Sequence, residues 1–182
     1  MPRVRRLSRV GLVCGCLAFL ALGNGCKSND PVAVPPTYTR SPAVEFAVRN
    51  GSTINPIGIP GIFDLSQDQA MLEFALDFPV TDHVEVDAPV RDLSYGPNDT
   101  AGTFKVAVYA GNGLANASDY NAGLYLGVYD LDVAERKDFK LDVTAFVAAL
   151  RDTGATHIGL RFYASSMGQL GLQSGAELVA GP

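Results

Sequence analysis

The chain has 182 residues, with 14 basic against 19 acidic side chains and a formal net charge of −5. Its three cysteines, Cys14, Cys16 and Cys26, all fall in the first 26 positions, so the remainder holds no disulfide and no thiolate metal site. That acidic balance excludes nucleic acid and electrostatic adhesion to anionic membranes as partners.

Arg3, Arg5, Arg6 and Arg9 open the chain without an acid among them, and an apolar run from Val10 to Leu22 follows. A positive segment followed by an apolar run of this length predicts a secretory signal peptide over residues 1–25, too short for a permanent span. The run ends in Leu22-Gly23-Asn24-Gly25-Cys26. Small residues before a cysteine resemble a bacterial lipobox, in which Cys26 is acylated and becomes the new N-terminus. Gly23 stands where the usual leucine would be, and ordinary cleavage to a soluble periplasmic or extracellular protein is the alternative. Cleavage before Cys26 leaves 157 residues, with ten basic against nineteen acidic ones and a net charge of about −9. The expected location is therefore the cell envelope, anchored through the N-terminal lipid alone.

Residues 26–42 are polar and carry Pro31, Pro35, Pro36 and Pro42, a composition that predicts an extended tether. Residues 43–182 are expected to form a single domain. Ala43 to Val48 reads as a first strand. In Leu72-Glu73-Phe74-Ala75-Leu76-Asp77-Phe78 the apolar residues fall at every second position, which places Glu73 and Asp77 on the opposite, solvated face. Val84 to Tyr95 is another strand, bent or pushed to an edge by Pro89. Alternation returns in Phe104 to Val108, in Phe139 to Val143 and in Ile158 to Phe162, and Leu170 to Val179 reads as the last strand.

Between these strands, Phe146, Val147 and Leu150 recur at helical spacing, predicting a short helix at about 144–152. Asp142 or Thr144 can cap its start, and Gly154 can end it. Many short strands, turn residues between them and one short helix predict an all-β fold: a two-sheet antiparallel β-sandwich, jelly-roll-like.

Candidates for chemistry are few. His83 and His157 belong to no metal-spacing motif, Ser165-Ser166 has no motif around it, and no Gly-x-Ser-x-Gly elbow occurs. The acids cluster at Asp82, Glu85 and Asp87, and at Asp130 and Asp132, as solvated strand faces do. Set against an EF-hand-like loop, Asn112 and Gly113 take the fifth and sixth places and Asp119 the twelfth. The first and third places then fall on Val108 and Ala110, which lack a side-chain oxygen. The stretch 111–120 is thus read as a Gly/Asn-rich turn, no metal or cofactor is expected, and Asn112 and Asp119 remain as calcium candidates. Three Asn-x-Ser/Thr triplets, at Asn50, Asn98 and Asn116, matter only in a eukaryotic secretory pathway. The aromatic group Tyr120, Tyr125 and Tyr129 is the candidate ligand-binding set, because the apolar face of a pyranose stacks on such rings; packing in the sandwich is the competing role.

Ala70-Met71-Leu72-Glu73-Phe74-Ala75-Leu76 resembles a strand of the bacterial extracellular jelly-roll modules called DNRLRE domains. Tyr120-Asn121-Ala122-Gly123, Leu141-Asp142-Val143-Thr144-Ala145-Phe146-Val147 and Ile158-Gly159-Leu160-Arg161-Phe162 are similar to their second half. The resemblance implies a jelly-roll fold and a carbohydrate-associated role at the cell surface. Together these readings predict a non-catalytic envelope lipoprotein that binds a glycan or another surface component. The alternatives are a structural lipoprotein contacting an envelope protein and, third, a small secreted hydrolase.

Overall fold

The computed structural model describes residues 35–56, 62–64, 68–92, 103–130, 138–164, 170–173 and 175–182. The segment expected to be a signal peptide, Cys26, and residues 27–34 of the expected tether lie outside them. Among the described residues, thirteen strands and one α-helix follow in chain order. They are β1 (Tyr38–Arg40), β2 (Val44–Arg49), β3 (Thr53–Pro56), β4 (Ile62–Asp64), β5 (Asp68–Ala75), β6 (His83–Ala88), β7 (Val90–Asp92), β8 (Thr103–Gly111), β9 (Leu124–Asp130), β10 (Phe139–Asp142), the helix α1 (Thr144–Asp152), β11 (His157–Ala164), β12 (Leu170–Gln173) and β13 (Glu177–Gly181).

Every ladder is antiparallel. One layer is a six-stranded sheet ordered β3-β2-β5-β11-β8-β9. The other consists of a four-stranded ladder, β1-β13-β6-β10, and a three-stranded ladder, β4-β12-β7. These two belong together, because β6 runs into β7 across Pro89 while their partners β13 and β12 are likewise consecutive. Proline cannot donate to a ladder, so the break in hydrogen bonding falls where the sequence predicts it.

Alternation explains the packing of the two layers. Leu72 and Phe74 of β5, Phe104 and Val106 of β8, and Ile158, Leu160 and Phe162 of β11 are fully or almost fully buried. They share one core with Val84, Val86, Leu178 and Ala180 of the facing layer. Phe104 anchors its aromatic centre, edge-on to Phe139 with centroids 5.0 Å apart and stacked on Tyr129 at 5.8 Å. Each such side chain, taken fully out of water, contributes about 1.5–3 kcal/mol. Two inward-facing sheets over one apolar core are a β-sandwich, as the strand pattern predicts.

The helix lies at 144–152, as its spacing predicts. Asp142 Oδ1 accepts from the Thr144 amide at 2.9 Å and from its hydroxyl at 2.6 Å. Thr144 Oγ1 in turn accepts from the Val84 amide at 2.8 Å, so the same pair that starts the helix ties it to β6. At the other end Gly154 has φ +78. Its amide donates to Arg151 O at 2.9 Å and that of Ala155 to Leu150 O at 3.0 Å, a Schellman ending.

Several boundaries differ from the sequence reading: β5 runs from Asp68 to Ala75, leaving Asp77 and Phe78 outside it, and β9 is not among the expected strands. Tyr38–Arg40, within the proline-rich stretch, pairs with Leu178–Ala180 of β13. The segment read as one last strand is two, β12 and β13, because Gly175 takes φ +107 between them.

Candidate functional site

The distinctive surface is the face of the six-stranded sheet that points away from the core. On it the register places Glu73 and Met71 of β5 beside Gly159 and Arg161 of β11, and Gly159, Arg161 and Tyr163 of β11 beside Tyr109, Ala107 and Lys105 of β8. A bare sheet face would be solvated. Here the β8–β9 connection folds back over part of it, carrying a 3-10 turn at Ala117–Asn121. Tyr120 of that turn packs on Phe46, Val48 and Met71, and its ring meets Gly51 in the β2–β3 turn. The connection thus straps the sheet from β8 across to β2.

Glu73 fastens the strap, and here the structure corrects the sequence reading. Its position opposite the core is as predicted, but it is fully buried rather than solvated. Oε2 accepts from the amides of Asn112 at 2.9 Å and Gly113 at 2.6 Å, and Oε1 from the Tyr109 hydroxyl at 3.1 Å. Burial, followed by the Glu73 charge, pushes the Tyr109 hydroxyl far above its ordinary value of 10.0, so it stays a donor. Room for this arrangement comes from missing side chains. A Cβ at Gly159 would run into the Tyr109 ring, and one at Gly111 would lie 2.7 Å from Glu73 Oε2.

Asp119, a buried acid within the strap itself, has Oδ2 without a hydrogen-bond partner among the described residues. Burial raises its pKa above 3.8, and the nearby Glu73 charge raises it further. Arg161 donates through Nη1 to the Tyr120 carbonyl and leaves a buried Nε unpartnered. Asn112 Oδ1, the other calcium candidate, accepts from the Leu114 amide at 2.9 Å and so closes a local turn. Among the described residues no three His, Cys, Asp or Glu side chains gather as a metal site.

The three candidate tyrosines are not brought together. Tyr120 is the half-buried anchor of the strap. Tyr129 faces inward against Phe104 and Phe139, and burial raises its pKa. Tyr125 is 49% exposed on β9, opposite Ala107 on the outer face. It reaches that side through a β-bulge opposite Val106 and Ala107, where Leu126 instead packs on the core. Tyr163 belongs with the open face, and sequence reasoning passed over it. Arg161 lies 5.1 Å and Lys105 Nζ 5.8 Å from its ring centroid. Lys105 and Tyr163 are direct cross-strand neighbours. Beside the strap, then, among the described residues, lies an open shelf crossing β9, β8 and β11, with exposed Tyr125 and half-buried Lys105, Tyr163 and Arg161 along it.

Other candidate groups are dispersed. His83 is exposed at the start of β6, and His157 Nδ1 lies 2.9 Å from Thr156 Oγ1 on β11. Glu85 and Asp87 lie 2.8 and 3.3 Å from Lys140 Nζ across the β6–β10 pair. Asp130 is exposed at the end of β9, while Asp132, Ser165, Ser166 and Asn98 fall outside the described residues. Among the described residues two cavities, of about 210 and 170 Å³, lie elsewhere, both lined by Val80 and Thr81, with one acidic side chain in each wall, Asp82 in one and Asp152 in the other.

No protein-family model matches the chain, and no curated protein matches it. Among solved structures, one described as "xylan-binding module CBM15" is similar at 12% identity, with a TM-score of 0.47, over 81% of this chain and 97% of that one. A likeness of that degree assigns no ligand and no site.

Proposed function

We propose that this chain is a non-catalytic cell-envelope lipoprotein, acylated at Cys26, whose β-sandwich binds carbohydrate on the open shelf of the six-stranded sheet. The observation that carries the reading is the exposed Tyr125 ring on the same face as Tyr163, Lys105 and Arg161, beside the wall made by the strap. A pyranose presents an apolar C–H face and a hydroxyl rim. An exposed aromatic ring takes the first, and long cationic side chains with several donors take the second. The three hydrogen bonds of the buried Glu73 carboxylate hold the wall in place before any ligand arrives, which lowers the ordering cost of binding. The DNRLRE resemblance, in the strand around Leu72 and in Asp142-Val143-Thr144, belongs to the same reading.

A second reading is favoured by one feature. Strand β9 ends the sheet with no further strand beside it among the described residues, and it exposes Leu124 at 64% and Val128 at 50%. An open edge with apolar side chains suits strand addition by a protein partner. The two readings part in a glycan panel probed with the purified protein and with Tyr125→Ala. Retention on a polysaccharide, lost in Tyr125→Ala, supports the shelf; no retention by a folded, monodisperse protein turns the account toward the β9 edge.

A further inference from the structure

Six cations have described side chains, and most are consumed within the fold. Arg40 pairs with Asp77 at 2.7 Å, Arg49 with Asp68 at 2.7 Å, and Lys140 with Glu85 and Asp87. Arg151 donates to the carbonyls of Leu76 and Phe78. The remaining two, Lys105 and Arg161, are those on the shelf. Among the described residues neither faces a carboxylate: Lys105 meets only the Tyr163 ring, and Arg161 meets that ring and the Tyr120 carbonyl. Of the acids nearest along the sheet, Glu73 is buried beneath the strap and Asp119 within it, while Asp130, exposed opposite Thr103, stands one outward-facing position along β9 from Val128, the partner of Lys105, and makes no ion pair with Lys105 among the described residues.

In a chain with an acidic excess, two adjacent cations without counter-ions mark where negative charge is expected from outside. Resting on the carbohydrate reading above, we infer that the shelf takes an anionic glycan, a polysaccharide bearing uronate carboxylates. The sugar ring stacks on Tyr125, and its carboxylate sits at Lys105 and Arg161 beside Tyr163. Lysine serves here as a point charge on a flexible stem. Arginine adds planar donors held in place by its bond to the strap, so strap and anion site are one structure. The acidic remainder of the chain repels polyanions elsewhere and confines binding to this face.

The test is affinity electrophoresis of the purified protein in gels holding polygalacturonate, alginate or hyaluronate, each run against its carboxyl-reduced neutral counterpart. The expected result is retardation by at least one acidic polymer and not by its reduced form. That retardation weakens about tenfold in Lys105→Ala, as loss of a charge-assisted contact implies. It persists in Lys105→Arg and fades as salt is raised. Equal retardation by an acidic polymer and its reduced form, abolished in Tyr125→Ala, would overturn the anionic inference and leave the carbohydrate reading standing. Equal retardation by polyphosphate would overturn it in favour of a general polyanion site. No retardation by any of the acidic or neutral polymers would overturn both.

Discussion

Removing the Glu73 carboxylate tests the fastening of the strap. Glu73→Leu puts an apolar side chain in its place and leaves three donors, the part-buried amides of Asn112 and Gly113 and the buried Tyr109 hydroxyl, without their acceptor. A stranded buried donor costs about 1–3 kcal/mol. The two loop amides gain access to water once the strap lifts, so they belong at the low end, and the Tyr109 hydroxyl, beneath the strap, belongs nearer the high end. Against a gross loss of about 3–5 kcal/mol stands the relieved desolvation of a buried carboxylate, which returns a share of it. The net expectation is a loss of about 2–4 kcal/mol, or roughly 10 °C in Tm for a domain of this size. Glu73→Gln retains one acceptor oxygen and should lose about half as much. Urea denaturation gives the magnitude, and amide hydrogen exchange gives the place, with protection lost first at Asn112 and Gly113. A Glu73→Leu protein within about 1 kcal/mol of wild type, with those amides still protected, would refute the reasoning.

Three further outcomes follow from the same geometry. Gly159→Ala sets a methyl into the Tyr109 ring and should cost about 1–3 kcal/mol in urea denaturation, whereas an unchanged midpoint would mean that the ring does not lie where described. Gly154→Ala has open space around its new methyl, so it should cost only the backbone penalty of a positive φ, about 1 kcal/mol. For Asp119 the sign runs toward acid. Its folded-state pKa is raised, so the folded protein binds that proton more tightly, and stability falls as pH rises from 3.8 through the raised value. Asp119→Asn should therefore be more thermostable than wild type at pH 7, with the advantage gone below about pH 3.8; an advantage that persists there would contradict the assignment.

The fold was legible because period-two patterns leave little choice. A strand with Leu72, Phe74, Ile158 or Leu160 on one face must turn that face inward, and two such sheets must meet. Proline at 89 and the Asp142–Gly154 frame of the helix carried local signals strong enough to fix their own structure. What was not legible was the second face. Alternation gives Glu73 a side but cannot say that a loop forty residues later lies over it, because that contact is long-range and leaves no periodic mark. For the same reason Tyr109 and Gly159 read as ordinary strand residues, although one ring rests on the other's missing side chain. Asn50-Gly51 is a hairpin signal that strand periodicity passes over, and it forms the turn on which Tyr120 comes to rest. Counting tyrosines found Tyr125 but grouped it with Tyr129, since the β-bulge that separates their faces has no sequence signature. Lys105 and Tyr163, 58 positions apart in the sequence, become neighbours only through the β8–β11 register.

The most direct test of the shelf is amide chemical-shift mapping of the isotope-labelled protein during titration with a retained polysaccharide fragment. The account predicts shifts that cluster at Lys105–Tyr109 of β8, Leu124–Val128 of β9 and Arg161–Tyr163 of β11, together with the strap around Tyr120. Shifts confined to the cavities around Val80, or none at saturating fragment, would contradict it.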